Sequence, residues 1–128
     1  MVAPAALRLG QSEAAFQAAV IELARRLDWR VAHFRTTREV DRRGRARYQT
    51  AVAGDGAGWP DLVLVRRGTM ILAELKADRG TVRTEQRAWL ERLEEVELNA
   101  GGAVLVRVWR PRDWPSIELE LGARRPPP

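Results

Sequence analysis

The stretch that most constrains this fold runs from Leu62 to Lys76. Leu62-Val63-Leu64-Val65 is a short apolar run of the kind that forms a buried strand, Arg66-Arg67-Gly68-Thr69 reads as a hairpin turn, and Met70-Ile71-Leu72-Ala73-Glu74-Leu75-Lys76 returns as a second strand. A connection this short makes the pair antiparallel. Other elements gather around it. Ser12 and Glu13 open a helix whose apolar positions Phe16, Val20, Leu23, Ala24 and Leu27 recur at helical spacing until about Asp28. Trp29 to Phe34 is rich in β-formers and reads as a strand. Thr84 is placed to cap a second helix through about Leu98, with Trp89, Leu90, Leu93 and Val96 facing inward and Gly101-Gly102 ending it. Ala103 to Trp109 is apolar again, and a strand reached through a helix pairs in parallel with an earlier one by a right-handed crossover. Asp113 is read as the cap of a last helix over 114–121.

The order α-β-β-β-α-β-α predicts an α/β (α+β) domain with a mixed four-stranded sheet flanked by helices. A single domain accounts for all 128 residues, with its core at about 12–121 and a frayed proline-ended tail over 122–128. Residues from about 36 to 58 show no clear periodicity and carry Gly44, Gly54, Gly56 and Gly58, so they are expected to form a long loop of the kind that is usually functional. The chain has no cysteine, which excludes disulfides and thiolate metal sites. No apolar run approaches a membrane span, and the first residues lack the apolar core of a secretion signal, so a cytoplasmic protein without membrane contact is expected.

Charge is unevenly spread. The net +5 hides six arginines between positions 35 and 47 (Arg35, Arg38, Arg42, Arg43, Arg45, Arg47) against Glu39 and Asp41, while 91–97 holds four glutamates and one arginine. A concentrated basic segment points to a polyanion, most commonly nucleic acid, bound through its backbone. Of the 22 cationic side chains only Lys76 is a lysine. In a chain so biased toward arginine, that one exception marks a place where a compact ammonium is needed and a planar guanidinium will not serve.

Residues two apart on a strand share a face, so Glu74 and Lys76 point together while Leu75 points to the opposite layer. Asp61, at the start of the neighbouring strand, lies beside them if the hairpin is in register. Two converging carboxylates call for a positive partner, and a hard divalent cation with oxygen ligands and retained waters suits phosphate chemistry. The Leu75 carbonyl is a further candidate ligand. Helical geometry puts Glu13 on the apolar stripe of the first helix, where a carboxylate needs a partner. Gln86, in the first turn of the second helix, is placed to contact the metal site or the scissile phosphate.

Gly58-Trp59-Pro60-Asp61 followed by Glu74-Leu75-Lys76 resembles the signature of the PD-(D/E)XK nucleases, which share the restriction-endonuclease-like core. With Ser12-Glu13 and Phe16-Gln17 before it, Thr84-Glu85-Gln86 after it and Val108-Trp109-Arg110-Pro111 near the end, the frame is similar to stand-alone phage and bacterial members of the VRR-NUC family over roughly residues 12–121. The resemblance implies that Glu13, Asp61 and Glu74 associate with Mg²⁺ or Mn²⁺ and that Lys76 is catalytic. It also implies an endonuclease acting on branched DNA as a homodimer, in the manner of Holliday-junction resolvases. The arginine-rich insertion before Gly58 departs from compact members of the family.

Two rival readings share the same residues. One is a DNA-binding or assembly module with a vestigial nuclease centre, which would bind DNA without needing a divalent metal for scission. The other is a sequence-specific restriction-type enzyme, which would cut linear duplex at fixed sites. His33, the only histidine, makes no metal motif by itself, and either a role near the DNA or an ordinary polar environment is open to it. Trp29, Trp89, Trp109 and Trp114 fall where core packing explains them, whereas Trp59, beside Pro60-Asp61, is a candidate for substrate contact.

Overall fold

A computed structural model of the chain describes residues 12–34, 36–50 and 52–123. Helix α1 (Glu13–Arg26) starts where Ser12 accepts a hydrogen bond from the Ala15 N–H at 3.1 Å, and the chain leaves it through Asp28 in the left-handed region at φ 69°. Strand β1 (Arg30–His33) pairs antiparallel with β4 (Leu62–Arg66), which pairs antiparallel with β5 (Thr69–Leu75). Arg67 and Gly68, at φ 48° and 82°, make the tight turn between the last two. Helix α2 (Thr84–Asn99) then crosses over to β6 (Val104–Trp109), which lies parallel to β5. A 3₁₀ turn over Pro111–Asp113 leads into α3 (Trp114–Ala123). The sheet order β1-β4-β5-β6 is the expected mixed four-stranded sheet.

The two faces of the sheet carry different loads. Ile71, Ala73 and Leu75 of β5 point with Leu62, Leu64 and Leu105 into the larger core, closed by Phe16, Val20 and Ala24 of α1 and Ile117 and Leu121 of α3. Leu72 and Val106 face the other way, against Leu90 of α2. Arg107, half-buried, ties β6 to both flanking helices by donating to Glu120 at 2.9 Å and to Glu97 at 3.2 Å. No described helix is long and apolar enough to cross a membrane.

Four expectations are corrected. The segment expected to be a long loop contains a two-stranded antiparallel ribbon, β2 (Thr36–Val40) and β3 (Ala46–Thr50), which forms a sheet of its own. Its turn is built by Asp41, whose carboxylate accepts from the Arg43 and Arg45 N–H groups, both at 2.9 Å, and from the Arg45 side chain, while Gly44 takes φ 79°. Those amide donors, Arg45 first, hold the Asp41 carboxyl below its ordinary range. The inward stripe of α2 is Gln86, Leu90, Leu93 and Glu97, leaving Val96 49% exposed and Trp89 only partly covered. The N-cap of α2 is Arg83, one residue before Thr84. Asp113 caps the 3₁₀ turn, accepting from the Arg110 N–H at 2.9 Å, and α3 continues directly from that turn to Ala123. Arg35 and the tail from 124 to 128 lie outside the described residues.

Candidate active site

The β4–β5 hairpin assembles the centre. Its register sets Leu62 opposite Ala73, so Asp61, one residue before β4, falls beside Glu74. The Asp61 carboxylate accepts a hydrogen bond from the Leu75 N–H at 2.8 Å, locking the head of one strand to the end of the next. Glu74 shares the α2-facing side of β5 with Leu72, and the Leu75 side chain lies in the larger core behind it. Lys76 follows immediately, its own N–H donating to the Trp109 carbonyl at 3.0 Å. Asp61, Glu74 and Lys76 are 6%, 1% and 5% exposed, three ionisable groups almost removed from water.

Such burial needs compensation. Glu74 Oε1 accepts from the Gln86 amide at 2.9 Å and lies 4.0 Å from the Lys76 ammonium. Its other oxygen, Oε2, is buried without a hydrogen-bond partner. Burial pushes the Glu74 carboxyl up to about 9, contact with the Asp61 carboxyl adds to the rise, and Lys76 and Arg83 oppose it. Two carboxylates in contact hold either a proton or a cation between them. The donor set fits a hard divalent ion: all oxygen, with one buried lone pair unspent, and Mg²⁺ needs only one or two carboxylates because it keeps several waters.

The sequence expected three acids around one ion. Among the described residues no group of three or more His, Asp or Glu side chains is close enough to hold a metal together. Asp61 and Glu74 form the close pair, and Glu13 stands apart from it. Glu13, in the first turn of α1, is exposed as a residue while its carboxyl is partly shielded, so the expected position on a buried face is corrected. It still senses the centre: partial burial raises its carboxyl, Lys76 pulls it down and Asp61 pushes it up. Gln86 is buried beneath the pair, where its oxygen accepts from the Arg83 N–H at 2.9 Å and its amide nitrogen is left for Glu74. One side chain thus caps α2 and orients a carboxylate.

Gly58 makes this closeness possible. At φ 85° its backbone lies directly on the Glu85 and Gln86 backbone, where a Cβ would collide. Trp59 is partly covered, packed edge-on between Phe34 (ring centres 6.0 Å apart) and Trp89 (4.9 Å). His33 is exposed at the end of β1, opposite Leu62. Arg42, Arg43 and Arg45 surround the ribbon turn, and Arg38 and Arg47 are on its strands, opposite Tyr48 and Glu39.

A family model, the VRR-NUC domain, matches residues 13–106, a span that contains Glu13, Asp61, Glu74, Lys76 and Gln86. The chain belongs to the VRR-NUC family. It is therefore a nuclease domain. No curated protein and no solved structure was matched.

One part of this VRR-NUC domain lies beyond the matched span and holds contacts that the motif Val108-Trp109-Arg110-Pro111 does not reveal. Arg110, just past β6, donates to the Ala77 and Gly80 carbonyls at 2.7 and 2.6 Å, and the Arg112 N–H donates to the Asp78 carboxylate at 3.0 Å. Together they clamp the 77–80 loop that leaves Lys76. The only signal in the sequence was Arg110's place in Trp109-Arg110-Pro111, too short to reveal a partner 33 residues upstream.

Proposed function

We propose that this VRR-NUC domain is a divalent-metal-dependent endonuclease that hydrolyses phosphodiester bonds in branched or structured DNA, in the manner of a Holliday-junction resolvase. The observation that carries the reading is the buried Asp61–Glu74 pair, with an unpartnered carboxylate oxygen, beside the single lysine of the chain. Asp61 and Glu74 are the residues that would hold Mg²⁺ or Mn²⁺, with the Leu75 carbonyl and Glu13 as further candidates. A bound cation there supplies a Lewis acid that stabilises the charge developing on the phosphate and favours ionisation of the attacking water.

The protein's own groups do the rest. Lys76 holds the attacking water and offsets developing negative charge from a position fixed by its backbone bond to Trp109 and by the Arg110 clamp on the loop after it. Gln86 keeps Glu74 in one orientation. The arginines of the 36–50 ribbon, with Arg35, bind the DNA backbone and set the substrate's position. Cutting a symmetric junction needs two paired nicks, for which a two-fold homodimer is the natural assembly.

The test is a panel of labelled junction, flap, nicked, linear and single-stranded DNAs, incubated with Mn²⁺, with Mg²⁺ and with chelator. Cleavage of branched substrates only with metal is expected, and Lys76→Ala and Asp61→Ala should abolish it while leaving the fold and much of the DNA binding intact. Full activity in purified Lys76→Ala refutes the mechanism. Metal-independent binding without scission would instead favour the DNA-binding module, and cutting of linear duplex at fixed sites the restriction-type enzyme.

A further inference from the structure

The 36–50 ribbon has a geometry that an arginine-rich loop would lack. Two paired strands lie about 4.8 Å apart, so a ribbon with its side chains fits the major groove of B-form DNA, about 12 Å wide and 8.5 Å deep. Among the described residues the ribbon is a sheet to itself, paired with no strand of the four-stranded sheet. Its turn is held by hydrogen bonds. Asp41 spends its carboxylate on the Arg43 and Arg45 amides and on the Arg45 guanidinium. Arg42 and Arg43 remain exposed at the turn, and neither side chain is ion-paired with another described side chain.

The roots of the ribbon are at the active site. The Phe34 N–H donates to the carbonyl of Asp61 at 2.8 Å, and β2 begins two residues later. The far strand returns through residues 52–60 to Asp61 itself. From Phe34 to Arg43 is nine residues, a reach of at most about 30 Å. At about 3.4 Å per base pair, the turn arginines fall within roughly nine base pairs of the scissile phosphate.

We infer that the ribbon is a DNA arm that enters the major groove of a B-form duplex flanking the cleavage point, with Arg42 and Arg43 at its leading end. The inference rests on the nuclease reading for the location of the cut, and it adds how the duplex beside that cut is held and told from RNA. A-form RNA has a deep, narrow major groove closed to such an element, so the arm selects duplex DNA over duplex RNA of the same sequence.

The experiment measures binding in chelator, where no scission occurs, of wild type, Arg42→Ala/Arg43→Ala and a charge-matched control, Arg25→Ala/Arg26→Ala, at the exposed end of α1. For wild type, duplex DNA should bind at least tenfold more tightly than duplex RNA. Arg42→Ala/Arg43→Ala should weaken DNA binding about tenfold or more and flatten the salt dependence, by nearly two in slope if both contact phosphates. The control should change binding less than threefold. Methylation of guanine N7 within about nine base pairs of the cut should interfere with wild-type binding and not with that of the ribbon variant.

Equal binding of duplex RNA and DNA, or a ribbon variant indistinguishable from the control, overturns the proposal. So does a change in oligomeric state on sedimentation of the ribbon variant without loss of DNA affinity, since the ribbon would then be a contact between copies of the chain. Because binding is read without cleavage, these outcomes are separate from failure of the nuclease reading, which shows as wild type leaving every DNA intact in Mn²⁺.

Discussion

Replacing Glu74 by glutamine should make the metal-free protein more stable at alkaline pH while removing its function. In the folded chain the carboxyl is 1% exposed, touches Asp61 and titrates well above the 4.5 of a free glutamate, toward about 9. The folded state therefore binds this proton more tightly than the unfolded state does. Its contribution is fully present below about pH 4.5 and is lost as pH rises toward the folded value, at up to about 1.4 kcal/mol per pH unit. From about pH 5 to pH 8 the ceiling is about 4 kcal/mol, and because the proton is shared with Asp61 a loss of about 2–4 kcal/mol is the working figure. Glutamine keeps an oxygen for the Gln86 amide and leaves one buried carboxylate facing one ammonium in place of two facing one. Melting curves in chelator should show Glu74→Gln near wild type at about pH 5 and higher at about pH 8, by roughly 6–15 °C for a chain of this size. Taking the difference between the two proteins cancels the titrating groups that are not coupled to Glu74. Saturating Mg²⁺ should close the gap from the wild-type side, by about 2.7 kcal/mol at a hundredfold excess over Kd, and should leave Glu74→Gln nearly unmoved. A variant that melts below wild type at pH 8 in chelator refutes the reasoning, because the pair would then be self-sufficient without a cation.

Three further outcomes follow from contacts around the site. Arg110→Ala should cost about 2–4 kcal/mol by stranding the Ala77 and Gly80 carbonyls, and should lower kcat at least tenfold with little change in KM; Arg110→Lys should recover stability better than rate. An unaltered kcat would show that the clamp serves folding alone. Gly58→Ala, which puts a Cβ into the Glu85 backbone at a positive φ, should destabilise by about 1–3 kcal/mol and weaken metal binding through Gln86, as calorimetry with Mn²⁺ would report. Glu120→Ala leaves Arg107 with Glu97 alone and should lower denaturation midpoints by about 1–3 kcal/mol without touching cleavage; an equal loss of rate would mean that β6 is not rigid without it.

What could be read from the sequence divides along physical lines. The β4–β5 hairpin and the shared face of Glu74 and Lys76 depend on a tight turn and a period of two, both local properties, and they stand as expected. The ribbon is hidden because the signal for a half-buried strand is alternation of apolar and polar residues, and Thr36-Thr37-Arg38-Glu39-Val40 and Ala46-Arg47-Tyr48-Gln49-Thr50 carry no such alternation. The stripe of α2 differs from the expected one by a fraction of a turn: Trp89 and Val96 are more apolar than Gln86 and Glu97, yet the polar pair turns inward because Glu74 and the Val106 N–H are there to receive them. Glu13 was placed on a buried face by helical geometry alone, which cannot say that the first turn of α1 ends beyond its cover.

Arg110 belongs to a different class of blindness, and it ties the crossover to the chemistry. Parallel pairing of β6 with β5 sets Trp109 opposite Leu75, so the residue after each strand meets the other: Lys76 bonds to Trp109, and Arg110 bonds to the loop that follows Lys76. No local pattern in either segment predicts that meeting, because only the α2 crossover brings them side by side. The strand that completes the sheet therefore also holds the loop that leaves Lys76, although Arg110 lies beyond the residues that the family model matches. A chain ending at residue 103 should for that reason lose metal binding and cleavage together with its cooperative unfolding, even though it retains Asp61, Glu74, Lys76 and Gln86. Metal binding by such a fragment with the full protein's affinity would show that the hairpin and α2 suffice.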